Sequence, residues 1–279
     1  MYTTLINPTQ LQQLDAPLIL DVRHDLMNPE AGQSAYEANH ITNAHFLHLD
    51  HDLSGEKTGH NGRHPLPTLE TLATKLHSLG MNNDTQVVVY DAGNSMMAAR
   101  AWWLLRQIGH EAVAVLDGGL AAWQRMNGAL ESGTNNKPLH QTDSLTIRPA
   151  LDRTVTAEQL MVHIDDRFYH IIDARAPERF SGEVEPIDPV GGHIPQARNY
   201  FFMNNLNEDL TFKDAATLKQ QWQTIFTHPN IVNQCGSGVT ACHNILAQHI
   251  AGFDSGALYA GSWSEWCSDP QRPIAKGDQ

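Results

Sequence analysis

The stretch Ile231-Val-Asn-Gln-Cys235-Gly-Ser-Gly-Val-Thr-Ala241 reads as a short apolar strand, a glycine-containing loop and the opening turn of a helix that runs on to Ile250. In strand-loop-helix units of this kind, ligands gather at the carboxyl end of the strand. Gly236 and Gly238 belong where backbone must come close to something. The backbone N–H groups of Gly236, Gly238, Val239 and Thr240, with a helix N-terminus behind them, make a cradle for an anion. An anionic sulfur on Cys235 would be the nucleophilic form of that residue.

Moving outward from this stretch, the same pattern occurs earlier in the chain. Gln86-Val-Val-Val-Tyr90-Asp91 matches Asn230 to Cys235 at an offset of 144 residues, and Gly109, Gly118 and Trp123 match Gly252, Gly261 and Trp266 at 143. Leu18-Ile-Leu-Asp21-Val-Arg23 matches His170-Ile-Ile-Asp173-Ala-Arg175 at 152, and His40-Ile41 matches His193-Ile194 at 153. A nearly constant offset over so many landmarks is the signature of a duplication. Each half alternates apolar strands with amphipathic helices, which implies an α/β fold of two tandem domains, each a mainly parallel sheet flanked by helices. The expected boundaries are 1–135 and 151–279. Residues 127–149, rich in Gly, Asn, Ser, Thr and Pro and without helical periodicity, mark an expected linker, set at 136–150. Asp91 stands at the position of Cys235, so the first half is expected to be catalytically silent.

Composition narrows the partners. The chain has 279 residues, 18 basic and 31 acidic, for a net charge of −13. That balance repels phosphate backbones and anionic membrane surfaces, so neither nucleic acid nor a membrane is expected as a partner. Residues Gln220 to Phe253 lack charged side chains, but Asn, Gln and His interrupt them too often for a membrane span. The first fifteen residues show no basic segment followed by an apolar run, so no secretory signal is expected. Three cysteines are too few and too clustered for a disulfide scaffold, which fits a reducing cytoplasm. Cys242 and Cys267 read as small buried hydrophobes.

The loop Cys235 to Ala241, the Asp173-Ala-Arg175 and Gly192-His-Ile-Pro195 segments, and the duplicated layout resemble the two-domain rhodanese superfamily. The loop is most like that of its 3-mercaptopyruvate sulfurtransferase branch. The resemblance implies that Cys235 takes a sulfane sulfur from a small anionic donor, holds it as a persulfide, and passes it to cyanide or to a thiol, a thioredoxin-like one included. Thiosulfate is the alternative donor, and a non-catalytic persulfide-receiving module is the alternative role. Gly236 and Ser237 occupy positions where thiosulfate-specialised members carry two cations, and Ser237 is expected to polarise the donor's C–S bond. His40 is expected to act on Ser237. Arg179 matches the first arginine of the branch's carboxylate clamp, while the second, nine residues on, is replaced by Asp188. Arg175 and Arg198 are nearby cations, each expected in a structural ion pair.

Other chemistries fit less well. A cysteine phosphatase loop needs an arginine where this chain has Ala241. His40, His45, His48 and His51, with Asp50 and Asp52, lack zinc-ligand spacing and read as a solvated histidine-rich loop, so no metal is expected. Ser54 to Gly59 reads as a surface turn rather than a phosphate loop. Trp102 and Trp103 read as packing residues, and no cofactor is expected.

Overall fold

The computed structural model describes residues 1–135 and 143–277. Seven residues of the expected linker, 136–142, lie outside the described residues. The chain divides into two compact units. The first holds Met1–Gly55, Leu66–Leu151 and Glu208–Phe212; the second holds Glu56–Pro65, Asp152–Asn207 and Lys213 onward.

The first unit contains, in chain order, β1 (Leu5–Ile6), α1 (Pro8–Gln12), β2 (Leu18–Asp21), α2 (Ala31–Ala38), β3 (His40–Ile41), β4 (His45–Phe46), α3 (Leu69–Ser78), β5 (Val87–Tyr90), α4 (Met96–Gln107), β6 (Val113–Leu116), α5 (Gly119–Arg125) and β7 (Leu130–Glu131). Five strands pair in parallel in the order β1-β6-β5-β2-β4, with β3 and β7 forming a separate antiparallel pair. β5 is fully buried, as its run of Val87, Val88 and Val89 demands of a central parallel strand. α1 opens with a capping box between Asn7 and Gln10, and Thr68 caps α3. Trp102 and Trp103 are both fully buried, as packing residues.

The second unit contains α6 (Ala157–Val162), β8 (His170–Asp173), α7 (Pro177–Ser181), β9 (Arg198–Asn199), α8 (Ala215–Trp222), β10 (Ile231–Gln234), α9 (Thr240–Ile250), β11 (Ala257–Leu258) and α10 (Ser262–Trp266). Its sheet is parallel, in the order β11-β10-β8-β9. Ile171, Val232, Tyr259, Trp263 and Trp266 build its core with Phe180 and Ile194. The apolar strand of the opening stretch is β10, and the loop it feeds leads into α9.

The repeated Asp-x-Arg and His-Ile segments share one local design. Arg23 forks onto Asp21 at 2.7 to 3.1 Å and donates to the Asn39 carbonyl at 2.6 Å. Arg175 forks onto Asp173 at 2.7 to 3.1 Å and donates to the Gly192 carbonyl at 2.7 Å. Each arginine thus ties the end of a strand to the residue just before a histidine. His40 then stacks on Tyr36, with ring centres 3.9 Å apart and Nδ1 2.7 Å from the Tyr36 carbonyl. His193 stacks on Phe180 at 3.8 Å, with Nδ1 2.8 Å from the Phe180 carbonyl. Both rings are fully buried, and burial lowers the His193 pKa.

The histidine-rich loop departs from expectation. His40 and His48 are buried rather than solvated, because their ring nitrogens bond to nearby backbone: His48 Nδ1 accepts from the Asp50 N–H at 3.0 Å. No helix among the described residues is long and apolar enough to cross a membrane.

Candidate active site

Cys235 follows β10 and is 2% exposed. The Trp263 N–H donates to its carbonyl at 3.0 Å, the Ser264 N–H donates to the Gly236 carbonyl at 2.9 Å, and the Cys235 N–H donates to Ser262 Oγ at 3.1 Å. These bonds lash the loop to the start of α10. Gly238 turns the chain with φ +77°, and a Cβ there would lie 2.3 Å from the Ala260 carbonyl oxygen, so only glycine fits. Val239 then occupies the N-cap of α9. Among the described residues, no side chain accepts from the N–H groups of Gly236, Ser237, Val239 or Thr240. Those donors are orphans of a helix start, suited to an anion.

Asp91 shows the same cradle already occupied. Its Oδ1 accepts from the N–H groups of Gly93 at 2.9 Å and Ser95 at 3.0 Å. Its Oδ2 accepts from Met97 at 2.9 Å and Ala98 at 3.3 Å. Burial raises the Asp91 pKa, against the lowering pull of these four bonds.

The other two cysteines sit elsewhere. Cys242 is fully buried inside α9, with Sγ 3.2 Å from the Gly238 carbonyl. Burial pushes the Cys267 thiol up to about 11, so it stays protonated and unreactive at neutral pH.

Ser237 Oγ lies 2.8 Å from a histidine nitrogen, but the histidine is His64, not His40. His40 is held in the first unit by the stack and the Nδ1 contact with Tyr36, the same structural task His193 performs in the second. His64 reaches Ser237 because residues 56–65 belong to the second unit. Gly62 packs against the Gly261 carbonyl, where a Cβ would come within 2.8 Å, and the Arg63 N–H donates to Ser264 Oγ at 3.0 Å. A signal for this was present in the repeat: the offset drops from 153 to 144 between the His-Ile segment and the second strand, so the first half carries nine residues there without counterparts.

A network of charged side chains stands beside the loop. Arg179, on α7, donates to Glu185 at 3.2 and 2.7 Å and to Asp188 at 3.3 Å. Arg63 forms an ion pair with Asp188. Arg175 faces Asp173 and Glu185 and lies over the Trp263 ring at 4.9 Å. Burial opposes the Arg175 charge, but Asp173, Glu185 and the Cys235 sulfur more than offset it and raise its pKa. Burial would also raise Glu185, yet the bonds from Arg179 and from the Asp188 and Ile187 N–H groups hold it below the usual carboxylate range. Asp188 is raised by burial, against the pull of Arg63 and Arg179. Arg198 is exposed on β9, with no ion pair among the described residues, and lines a cavity with Arg167, Tyr169 and His170 at the opposite end of the sheet from Cys235.

Comparison with known proteins agrees with the duplicated fold. The rhodanese-like domain model matches residues 7–126 and 156–269. The chain is 45% identical to a probable 3-mercaptopyruvate sulfurtransferase of Pseudomonas aeruginosa, over 94% of this chain and 93% of that protein. It is 39% identical to a putative thiosulfate sulfurtransferase of Mycobacterium tuberculosis, over 96% and 93%. Among solved structures, the 3-mercaptopyruvate sulfurtransferase of Leishmania major superposes with a TM-score of 0.86 at 27% identity, covering 98% of this chain and 76% of that one.

Proposed function

The chain belongs to the rhodanese family as a tandem two-domain sulfurtransferase, and from that premise we propose that it takes sulfur from 3-mercaptopyruvate onto Cys235 as a persulfide. The observation that carries the choice of donor is the Ser237–His64 pair, 2.8 Å apart and two residues beyond the nucleophile.

The two donors differ in proton demand. When the Cys235 thiolate attacks thiosulfate, the S–S bond breaks, sulfite leaves with the electron pair, and no proton moves. When it attacks the thiol sulfur of 3-mercaptopyruvate, the C–S bond breaks and the electron pair stays on carbon. The thiol proton must then reach that carbon to give pyruvate, and charge balances at one negative group on each product. Ser237 and His64 suit this transfer: the hydroxyl bonds to the departing carbonyl compound while the imidazole holds or returns the proton. The persulfide's terminal charge falls to the loop N–H groups. Cyanide or a thiol, a thioredoxin-like one included, then takes the sulfur and restores the Cys235 thiolate.

Charge supports the same donor. Arg63 and Arg179 are matched by Glu185 and Asp188, so the group sums to zero and offers N–H donors without surplus positive charge. A single carboxylate is accommodated there more easily than a dianion. Asp188 itself favours the second reading, thiosulfate, because it stands where the resemblance leads one to expect a cation.

Three free cysteines suit a reducing cytoplasm, which we take as the compartment. The test is mass spectrometry of the intact chain after incubation with each donor. Gain of one sulfur on Cys235 with release of pyruvate is expected from 3-mercaptopyruvate. A kcat/KM greater for thiosulfate would overturn the donor, and failure of both small molecules to load Cys235 would favour a persulfide-receiving module.

A further inference from the structure

The sequence places an acidic residue, Asp188, where a second donor-binding arginine is expected, and the structure shows what that residue does. Asp188 is 8% exposed and holds Arg63, a residue 125 positions earlier in the chain. Arg63 is thereby brought to the sulfur loop. A Cβ built on Gly236 would lie 2.9 Å from Arg63 Nη2 and 3.5 Å from both terminal nitrogens of Arg179. The two guanidinium groups therefore converge on the residue next to the nucleophile.

Each also keeps N–H groups for a ligand. Arg63 uses Nη1 on Asp188, and Arg179 uses Nε and Nη2 on Glu185 and Asp188. Among the described residues, Arg63 Nη2 and Arg179 Nη1 have no protein acceptor. Both side chains remain partly open, at 28% and 19% exposure. Two forks at one point, each with spare donors, match the two oxygens of a carboxylate.

We propose that Arg63 is the second cation of the donor site, binding the carboxylate of the donor together with Arg179, and that Asp188 is a positioning residue that holds Arg63 over Gly236. This rests on the sulfurtransferase reading of the site. Its consequence is that the donor clamp is assembled from the inserted segment that also brings His64, so one stretch of ten residues delivers both the carboxylate contact and the proton-transfer contact.

The test is steady-state kinetics of the full chain with 3-mercaptopyruvate and cyanide. Arg63→Ala is expected to raise KM by about tenfold to a hundredfold, the value of a charge-assisted bond, with kcat within about threefold. Arg63→Lys keeps the charge but loses the fork and is expected to fall between. Moving the guanidinium, in the double variant Arg63→Ala with Asp188→Arg, is expected to recover most of the lost KM. Should the alanine variant misfold, Arg63→Gln, which retains a donor for Asp188, takes its place in the comparison. A KM within about twofold of the unmodified chain, or a fall in kcat with KM unchanged, overturns the assignment of Arg63. An unmodified chain that gains no sulfur from 3-mercaptopyruvate overturns the donor reading instead, and this inference with it.

Discussion

The Asp91 loop and the Cys235 loop are two copies of one anion cradle, and they differ in who supplies the anion. In the first unit the chain supplies it: the Asp91 carboxylate takes four backbone N–H groups. In the second, no side chain among the described residues takes the N–H groups of Gly236, Ser237, Val239 and Thr240, which suit a charge that arrives on Cys235. A cavity of about 400 Å³ persists in the first unit in front of its loop, lined by Arg23, Asp91, Asn94 and Met96 among others. The first unit therefore keeps both the fold and a cavity around a cradle that is already filled. A covalently attached carboxylate in that place satisfies the donors permanently.

The sharpest way to break this comparison is at the nucleophile. Cys235→Ser is expected to reduce thiocyanate formation to the uncatalysed background, whereas Cys242→Ser leaves it within about twofold, since Cys242 lies inside α9. Restoring the sulfur in the other copy, with Asp91→Cys added to Cys235→Ser, is expected to stay at background, because the segment packed beside that loop in the first unit, Glu208–Phe212, brings no histidine to it. Turnover by that double variant would break the comparison.

The histidines come next. His64→Ala is expected to lower kcat for 3-mercaptopyruvate by about a hundredfold to ten-thousandfold while leaving the proton-free thiosulfate reaction within a few-fold. His40→Phe keeps the stack on Tyr36 and loses the Nδ1 contact and the 3.4 Å approach of Nε2 to Glu131. Its expected effect is a Tm lower by a few degrees with kcat unchanged.

A smaller effect is expected at the filled cradle. Asp91→Ala leaves four buried N–H groups without their acceptor, and denaturant unfolding is expected to show about 2 to 4 kcal/mol less stability. Cyanide turnover should survive while the chain is folded.

The smallest is a pH effect at the donor site. Glu185 is lowered in the folded state, with burial outweighed by its bonds from Arg179 and from backbone N–H groups. Its stabilisation is therefore present above the unfolded carboxylate pKa of about 4.3 and is lost as pH falls through the lower folded value. Glu185→Gln is expected to be less stable than the unmodified chain near neutral pH, with the gap closing as the solution is acidified below about pH 4. A gap that is constant across that range would mean Glu185 contributes by packing rather than charge.

Local patterning made much of this legible. Runs such as Val87-Val-Val-Tyr90 leave little choice but a buried parallel strand, and β5 and β10 fall where the apolar runs end in Asp91 and Cys235. The glycines of the Cys235 loop signal close backbone approach because only a residue without Cβ fits there, as Gly238 confirms against Ala260. Where reasoning from sequence went astray, it did so over distance. His40 sits in a repeated motif beside a plausible chemistry, yet its motif is a packing device, visible once His193 is seen to stack the same way on Phe180. His64 and Arg63 lie in a stretch that reads as turn and loop, and their partners Ser237 and Asp188 are 173 and 125 residues away.

By itself, then, the sequence determined the two-fold repeat and the parallel sheets, and it singled out Cys235 as the candidate nucleophile with Asp91 in its place in the first copy, because each follows from residue type and short-range spacing. Only the tertiary structure decided which histidine meets Ser237 and which arginine joins Arg179 beside Gly236. Those choices depend on where the segment Glu56–Pro65 packs, and that is set by a sum of weak contacts, the close approach of Gly62 to Gly261, the Arg63 bond to Ser264 and the Arg63 pair with Asp188, that no local pattern announces.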